Sequence, residues 1–181
     1  DQLGIVDVAT GKLTATVPVG ESPEIFDLSP DGKIAYVSIE DDNVLAAYDI
    51  ASRKPLFQVP TGKEPEGVLV TPDGQFAYVT SEAADAVYVI DLARQKIAKT
   101  IKTGKRPRRL VLLAEARELW VSNELEASVS VIDTATQQVK HKIALTVAGV
   151  PATDVTPVGL AASPDGTSVW VALGRANRVA R

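Results

Sequence analysis

Residues 29–38 read SPDGKIAYVS, and residues 71–80, 42 positions later, read TPDGQFAYVT. In both, Pro fixes one φ angle, Asp can bond the turn backbone and Gly accepts positive φ, which together specify a tight turn. The residues after the turn are β-branched or aromatic and carry no helical period, so the turn opens into a strand. A third copy, SPDGTSVWVA, occupies residues 163–172.

Outward from these turns the repeat extends over the whole chain. IVDVATGK, AYDIASRK, VIDLARQK and VIDTATQQ place Asp7, Asp49, Asp91 and Asp133 at successive intervals of 42. Gly20, Gly62 and Gly104 keep that interval, as do Pro23, Pro65 and Pro107. Pro157 falls fifty residues after Pro107, so eight residues are inserted around ALTVAGVPATDV (144–155). Each copy holds four short strand-forming runs, such as IFDLS, IAYVS, NVLAAYDI and KPLFQVP. Runs like VYVIDL and VLVT are apolar on both alternating faces, as expected of a small sheet sandwiched between two others. A repeated four-stranded sheet of about 40 residues packed around an axis is a β-propeller blade.

The expected fold is all-β: a β-propeller of four-stranded antiparallel blades with a 42-residue repeat. Residues 1–181 form one partial propeller. Residues 1–18 supply the outer strands C and D of a first blade, 23–60, 65–102 and 107–146 are complete blades, and 157–181 begin a last one. In a closed four-blade ring NRVAR would compete with DQLGIVD for one strand position, so an incomplete ring of about four blades is expected. Its unpaired edges and exposed blade face invite self-association. Asp1 is not a translation start in this Met-free chain, so residues upstream of it are expected as well. Where the third complete blade should carry its Pro-Asp-Gly turn, Ala114, Glu115 and Ala116 stand instead.

Composition narrows the function classes. With 45% apolar and 23% charged residues the chain is an ordinary globular one. A formal net charge of -4 gives no field to draw it to phosphate backbones, so nucleic acid is not an expected partner. No apolar run approaches a spanning helix and no signal-peptide layout opens the sequence, so membrane insertion is not expected. The absence of Cys removes disulfides, thiolate metal sites and thiol catalysis together.

Candidate site residues follow from the register. In a propeller the D-to-A and B-to-C connections emerge on one face. The residues after the repeated prolines, Glu24, Glu66, Arg108 and Val158, should ring one mouth of the central channel. KTGKRPRRL (102–110) adds Arg106 and Arg109. Either Glu66 and Arg108 pair across adjacent blades, or Arg108 and Arg109 present guanidinium forks to a carboxylate or phosphate ligand. Arg109 takes a register filled elsewhere by Ile25, Gly67 and Gly159, so it is expected to pair with a carboxylate or an anion. Glu40, Glu82 and Glu124, with Asn123, form a second register on the same face, read as a solvated rim; a site for a cation or a cationic partner is the sharper alternative, and diverging blades argue against a metal there. Residues 94–117 hold nine Lys or Arg against the single acid Glu115; lysines on the outermost strand protect an edge, and no interleaved aromatics offer stacking for bases. The lone histidine, His141, is expected on an outer strand, and the four repeated aspartates are expected to cap their own turns.

AYVT, VSVIDTAT, VPVGESPE and SPDGKIAYVS resemble the YVTN family of propeller repeats over essentially the whole chain. The order SPEIFDLSPDG, EPEGVLVTPDG, RPRRLVLL and VTPVGLAASPDG further resembles the PQQ-dependent catabolism-associated β-propeller proteins. That resemblance implies about seven blades, a periplasmic or otherwise extracytoplasmic location, and association with quinoprotein-dependent alcohol oxidation. DVATGKL is similar to a turn of PQQ-dependent dehydrogenase propellers, but Leu13 and Thr14 follow where those carry a docking Trp. Trp120 and Trp170 instead take the core position of Tyr36 and Tyr78. No catalytic residue, metal or cofactor is therefore assigned, and PQQ enters by association only. The expected function is a non-catalytic scaffold that binds a protein partner or a small anionic ligand. A lactonase-like hydrolase, drawing on Glu24, Glu66 and Asn123, and a surface-layer or adhesion propeller are the alternatives.

Overall fold

A computed structural model describes residues 1–113 and 117–181; the replaced turn at 114–116, with Glu115, lies outside the described residues. Among the described residues seventeen strands fall into five antiparallel sheets. The first pairs β1 (Gln2–Asp7) with β2 (Lys12–Pro18). Three four-stranded sheets follow: β3 (Pro23–Leu28), β4 (Ile34–Ile39), β5 (Val44–Asp49) and β6 (Lys54–Pro60); then β7 (Pro65–Val70), β8 (Phe76–Ser81), β9 (Ala86–Asp91) and β10 (Lys96–Lys102); then β11 (Pro107–Leu113), β12 (Glu118–Asn123), β13 (Ser128–Asp133) and β14 (Gln138–Ala144). The last sheet holds β15 (Pro157–Ala162), β16 (Val169–Leu173) and β17 (Arg178–Ala180).

Turn chemistry sets the register. Asp7, Asp49, Asp91 and Asp133 each accept the backbone N–H three residues on, at 2.6–2.8 Å, and so close the C-to-D turns. In the Pro-Asp-Gly turns, Asp31, Asp73 and Asp165 accept from Ser29, Thr71 and Ser163, and the glycines sit at φ near 70°. Because side chains alternate across a strand, the middle strands of the three four-stranded sheets bury both faces. Ala35, Val37 and Ile39 pack toward the first sheet with Val17 and Ala46, whereas Tyr36, Leu45 and Ala47 pack toward the next with Val68 and Val79. Four such cores join the five sheets in chain order. The eight-residue insertion serves the fourth: Val155 is buried, and Leu145, Val147 and Val150 pack beside it against β16.

The end sheets correct one expectation. Tyr36 and Tyr78 are buried, but Trp170, in the same register, is 46% exposed. The inner strand of the following sheet covers this position at three junctions, and among the described residues none follows β15–β17. At the other end Phe26 and Leu28 are 52% and 41% exposed, although their counterparts Val68 and Val70 are buried. His141 is exposed on β14, as its sequence context indicates.

Candidate functional site

Each innermost strand begins with a β-bulge. Pairing shifts between Pro23 and Phe26, Pro65 and Val68, Pro107 and Leu110, and Pro157 and Leu160. Glu24, Glu66, Arg108 and Val158 therefore lie where the ladder is interrupted, a geometry that re-aims side chains. A hydroxyl from the second strand fills the bulge and reaches the neighbouring blade. Ser38 Oγ accepts from Ile25 N at 3.1 Å and donates to Glu66 O at 2.6 Å. Thr80 does the same between Gly67 N and Arg108 O, at 2.7 and 2.9 Å, and Ser122 between Arg109 N and Val158 O, at 3.1 and 2.6 Å. Each hydroxyl fixes the backbone of the next channel-mouth residue. Gly67 is required here, since a Cβ would stand 2.3 Å from Arg108 O. Sequence reading missed this role for Ser38, Thr80 and Ser122, although their 42-residue spacing carries the signal; the fourth copy has Ala172 in that register and no hydroxyl.

The two loop registers are hydrogen-bonded to each other. Glu40 N donates to Ser22 O, Glu82 N to Glu64 O and Glu124 N to Arg106 O, at 2.9–3.0 Å. Ser22, Glu64, Arg106 and Thr156, each preceding a repeated proline, adopt left-handed backbone conformations. Because this recurs in every copy it belongs to the fold and not to one site. Arg106 N is held in addition by Asp85 Oδ1 at 2.9 Å.

Zipping the loops brings the predicted charges into one network across the junction of the second and third complete blades. Arg108 Nη2 lies 3.0 Å from Glu66 Oε1, and its Nη1 lies 3.2 Å from both Glu82 Oε1 and Glu124 Oε2. Arg106 Nε lies 2.7 Å from Glu82 Oε2 and 3.2 Å from Glu124 Oε2. Arg109 completes the set through an ion pair with Glu66. Arg109 thus has a carboxylate partner in a register that is elsewhere small or apolar. The solvated-rim expectation needs correction: Glu82 is only 5% exposed, because arginines of the following blade close over it. Asn123 is no rim residue either. Its side chain is buried, accepting from Gly104 N and donating to Ser128 and Ser130, so its polar atoms are committed to loop packing and not offered to a ligand.

Titration follows the geometry. Burial raises the Glu82 pKa, and Arg108 and Arg106 pull it back only in part. Burial opposes the Arg108 charge, but Glu66, Glu82 and Glu124 outweigh it and raise its pKa. Among the described residues no guanidinium pairs with Glu24. Its pKa is raised by burial, then by the charge of Glu66 and by a carboxyl–carboxyl contact with Glu40. The network sets five carboxylates against three guanidiniums, and the unbalanced charge sits at Glu24 and Glu40. Glu82 Oε1 and Arg108 Nε are buried without a hydrogen-bond partner among the described residues. No group of three or more His, Cys, Asp or Glu positioned to hold a metal ion is found among the described residues.

Solved structures that resemble the chain include two that match it over 89% of its length. One, Kuenenia stuttgartiensis hydrazine synthase, is 26% identical, with a TM-score of 0.76 over 89% of this chain and 45% of that one. The other, a functionally unknown protein from Desulfotomaculum acetoxidans DSM 771, is 16% identical, with a TM-score of 0.74 over 89% of this chain and 52% of that one; at this identity it speaks for the fold alone. The chain spans about half the length of each. No curated protein matches it in sequence. The sequence profile of the YNCE-like beta-propeller family matches residues 2–179, in agreement with the stacked four-stranded sheets, and the chain belongs to that family.

Proposed function

We propose that the chain is a non-catalytic binding module whose working surface is the face carrying the D-to-A and B-to-C loops, and that it receives a cationic group of a protein partner beside Glu24 and Glu40. The observation that carries this reading is the charge imbalance of the network. Arg106, Arg108 and Arg109 are already engaged by carboxylates, so a small anion would have to displace Glu66 or Glu124 to reach them. Glu24, by contrast, is held among acids with no cation paired to it among the described residues, and a lysine or arginine from outside supplies the missing charge. The extracytoplasmic setting and the association with quinoprotein-dependent alcohol oxidation, implied by resemblance, belong to this reading, with PQQ held by a partner enzyme.

Titration with an oligolysine peptide, an oligoglutamate peptide and PQQ at two salt concentrations tests it. Saturable, salt-sensitive oligolysine binding is expected, weakened about tenfold in Glu24→Gln/Glu40→Gln, the two lost charge pairs together being worth roughly 1.4 kcal/mol. Asp73→Asn, in a turn of the opposite face, should leave it unchanged. Binding of oligoglutamate or PQQ in place of oligolysine, or equal weakening by Asp73→Asn, overturns the cationic site. Chelator-sensitive hydrolysis of a lactone overturns the non-catalytic part.

A further inference from the structure

Of the two buried glutamates in the charged network, Glu82 has the weaker hold on its partners. It stands in the connection between β8 and β9, at the junction of two complete four-stranded sheets. Its Oε2 accepts a hydrogen bond from Arg106 Nε at 2.7 Å, but Oε1 accepts none among the described residues, although Arg108 Nη1 lies 3.2 Å away. Glu66, by comparison, accepts from both Arg108 and Arg109.

Neither arginine compensates Glu82 in full. The Arg106 side chain is 42% exposed, so water screens its charge, and Arg108 divides its charge among Glu66, Glu82 and Glu124. The other charged groups around the pair are Glu124 in the connection after β12, Glu66 at the start of β7 with Arg109 beside it, and Asp85, which closes the Glu82 loop and holds Arg106 N. Burial disfavours the charged form of a carboxyl, and with compensation this incomplete the Glu82 pKa stays raised. Its proton is therefore taken up on mild acidification, above the ordinary glutamate pKa of about 4.3.

We infer that Glu82 is a proton-operated switch of the loop face: on taking up a proton it lets go of Arg106 and Arg108, whose charges then fall on Glu66 and Glu124, and the face releases the cationic group it receives beside Glu24 and Glu40. The switch rests on the cationic site proposed above and adds its regulation. Charge gives the direction. With Glu82 ionised, five carboxylates stand against three guanidiniums; with Glu82 protonated, four stand against three, and half of the negative excess is gone. Coupling runs both ways, so a bound cation makes Glu82 harder to protonate. A partner is held at neutral pH and let go in a mildly acidic setting.

Oligolysine titration across pH tests this, because lysine, with a pKa of about 10.4, keeps its charge throughout. Glu82→Gln keeps the shape of the side chain and removes its charge. At about pH 7.5 this variant should bind oligolysine about threefold more weakly than the parent, and the two should converge as the pH falls toward about 5, other titrating groups being common to both. The Glu82 carboxyl carbon, followed by NMR in the free parent chain, gives a reading that needs neither binding nor a folded Glu82→Gln. Its midpoint should lie above the ordinary glutamate value and rise further in Arg106→Gln. A midpoint at or below that value, or one indifferent to Arg106→Gln, overturns the switch. Binding that follows the same pH course in the parent and Glu82→Gln overturns the switch alone, whereas oligolysine that binds at no pH overturns the cationic site and its release together.

Discussion

Arg108 is the residue on which the charged face depends. Among the described residues it is the one side chain within ion-pair distance of Glu66, Glu82 and Glu124 together, and two of these acids are buried. Removing a buried partner leaves its counterpart charged and dry, so Arg108→Leu should destabilise the chain by about 3 kcal/mol in urea melts. A cycle with Glu66→Gln should show a coupling of about 1–3 kcal/mol. Glu24 behaves in the opposite sense. Its folded-state pKa is raised, so the folded chain holds that proton more tightly than the unfolded one. Stability linked to it is therefore full below the ordinary glutamate pKa and is lost as pH rises through the folded value. Glu24→Gln should be more stable than the parent at neutral pH, and the difference should close as the pH falls to about 4.

At the scale of strands and loops, the hydroxyl in each bulge ties one blade to the next. Ser38→Ala strands Ile25 N and Glu66 O in a buried setting and should cost about 1–3 kcal/mol, with Ser38→Thr largely restoring stability. The element boundaries were legible in the sequence because a propeller repeats its turn chemistry at a fixed interval, and Asp7, Asp49, Asp91 and Asp133 each sign a turn. The loop registers were legible too, since equal spacing puts Glu24, Glu66 and Arg108 at one mouth. Burial of Glu82 was not, because it depends on arginines 24 and 26 residues away that belong to the following blade. Exposure of Trp170 was equally hidden: its residue type fits a core, and only the neighbouring sheet decides whether a core forms.

For the molecule as a whole, each sheet shares a core only with its immediate neighbours, so stability spreads along the arc as in other repeat architectures. Hydrogen exchange should be slowest in β8 and β9, which have complete blades on either side, and fastest in β1, β2 and β17; uniform protection along the chain would contradict this nearest-neighbour picture. Ala172 gives the last bulge a distinct character. Wherever Ser38, Thr80 or Ser122 stands, parting two blades means tearing a buried polar stitch, but a Cβ placed on Gly159 would meet only the Ala172 methyl, at 3.7 Å. That bulge is held by its strand ladder without a hydroxyl, an unsewn pleat beside three sewn ones.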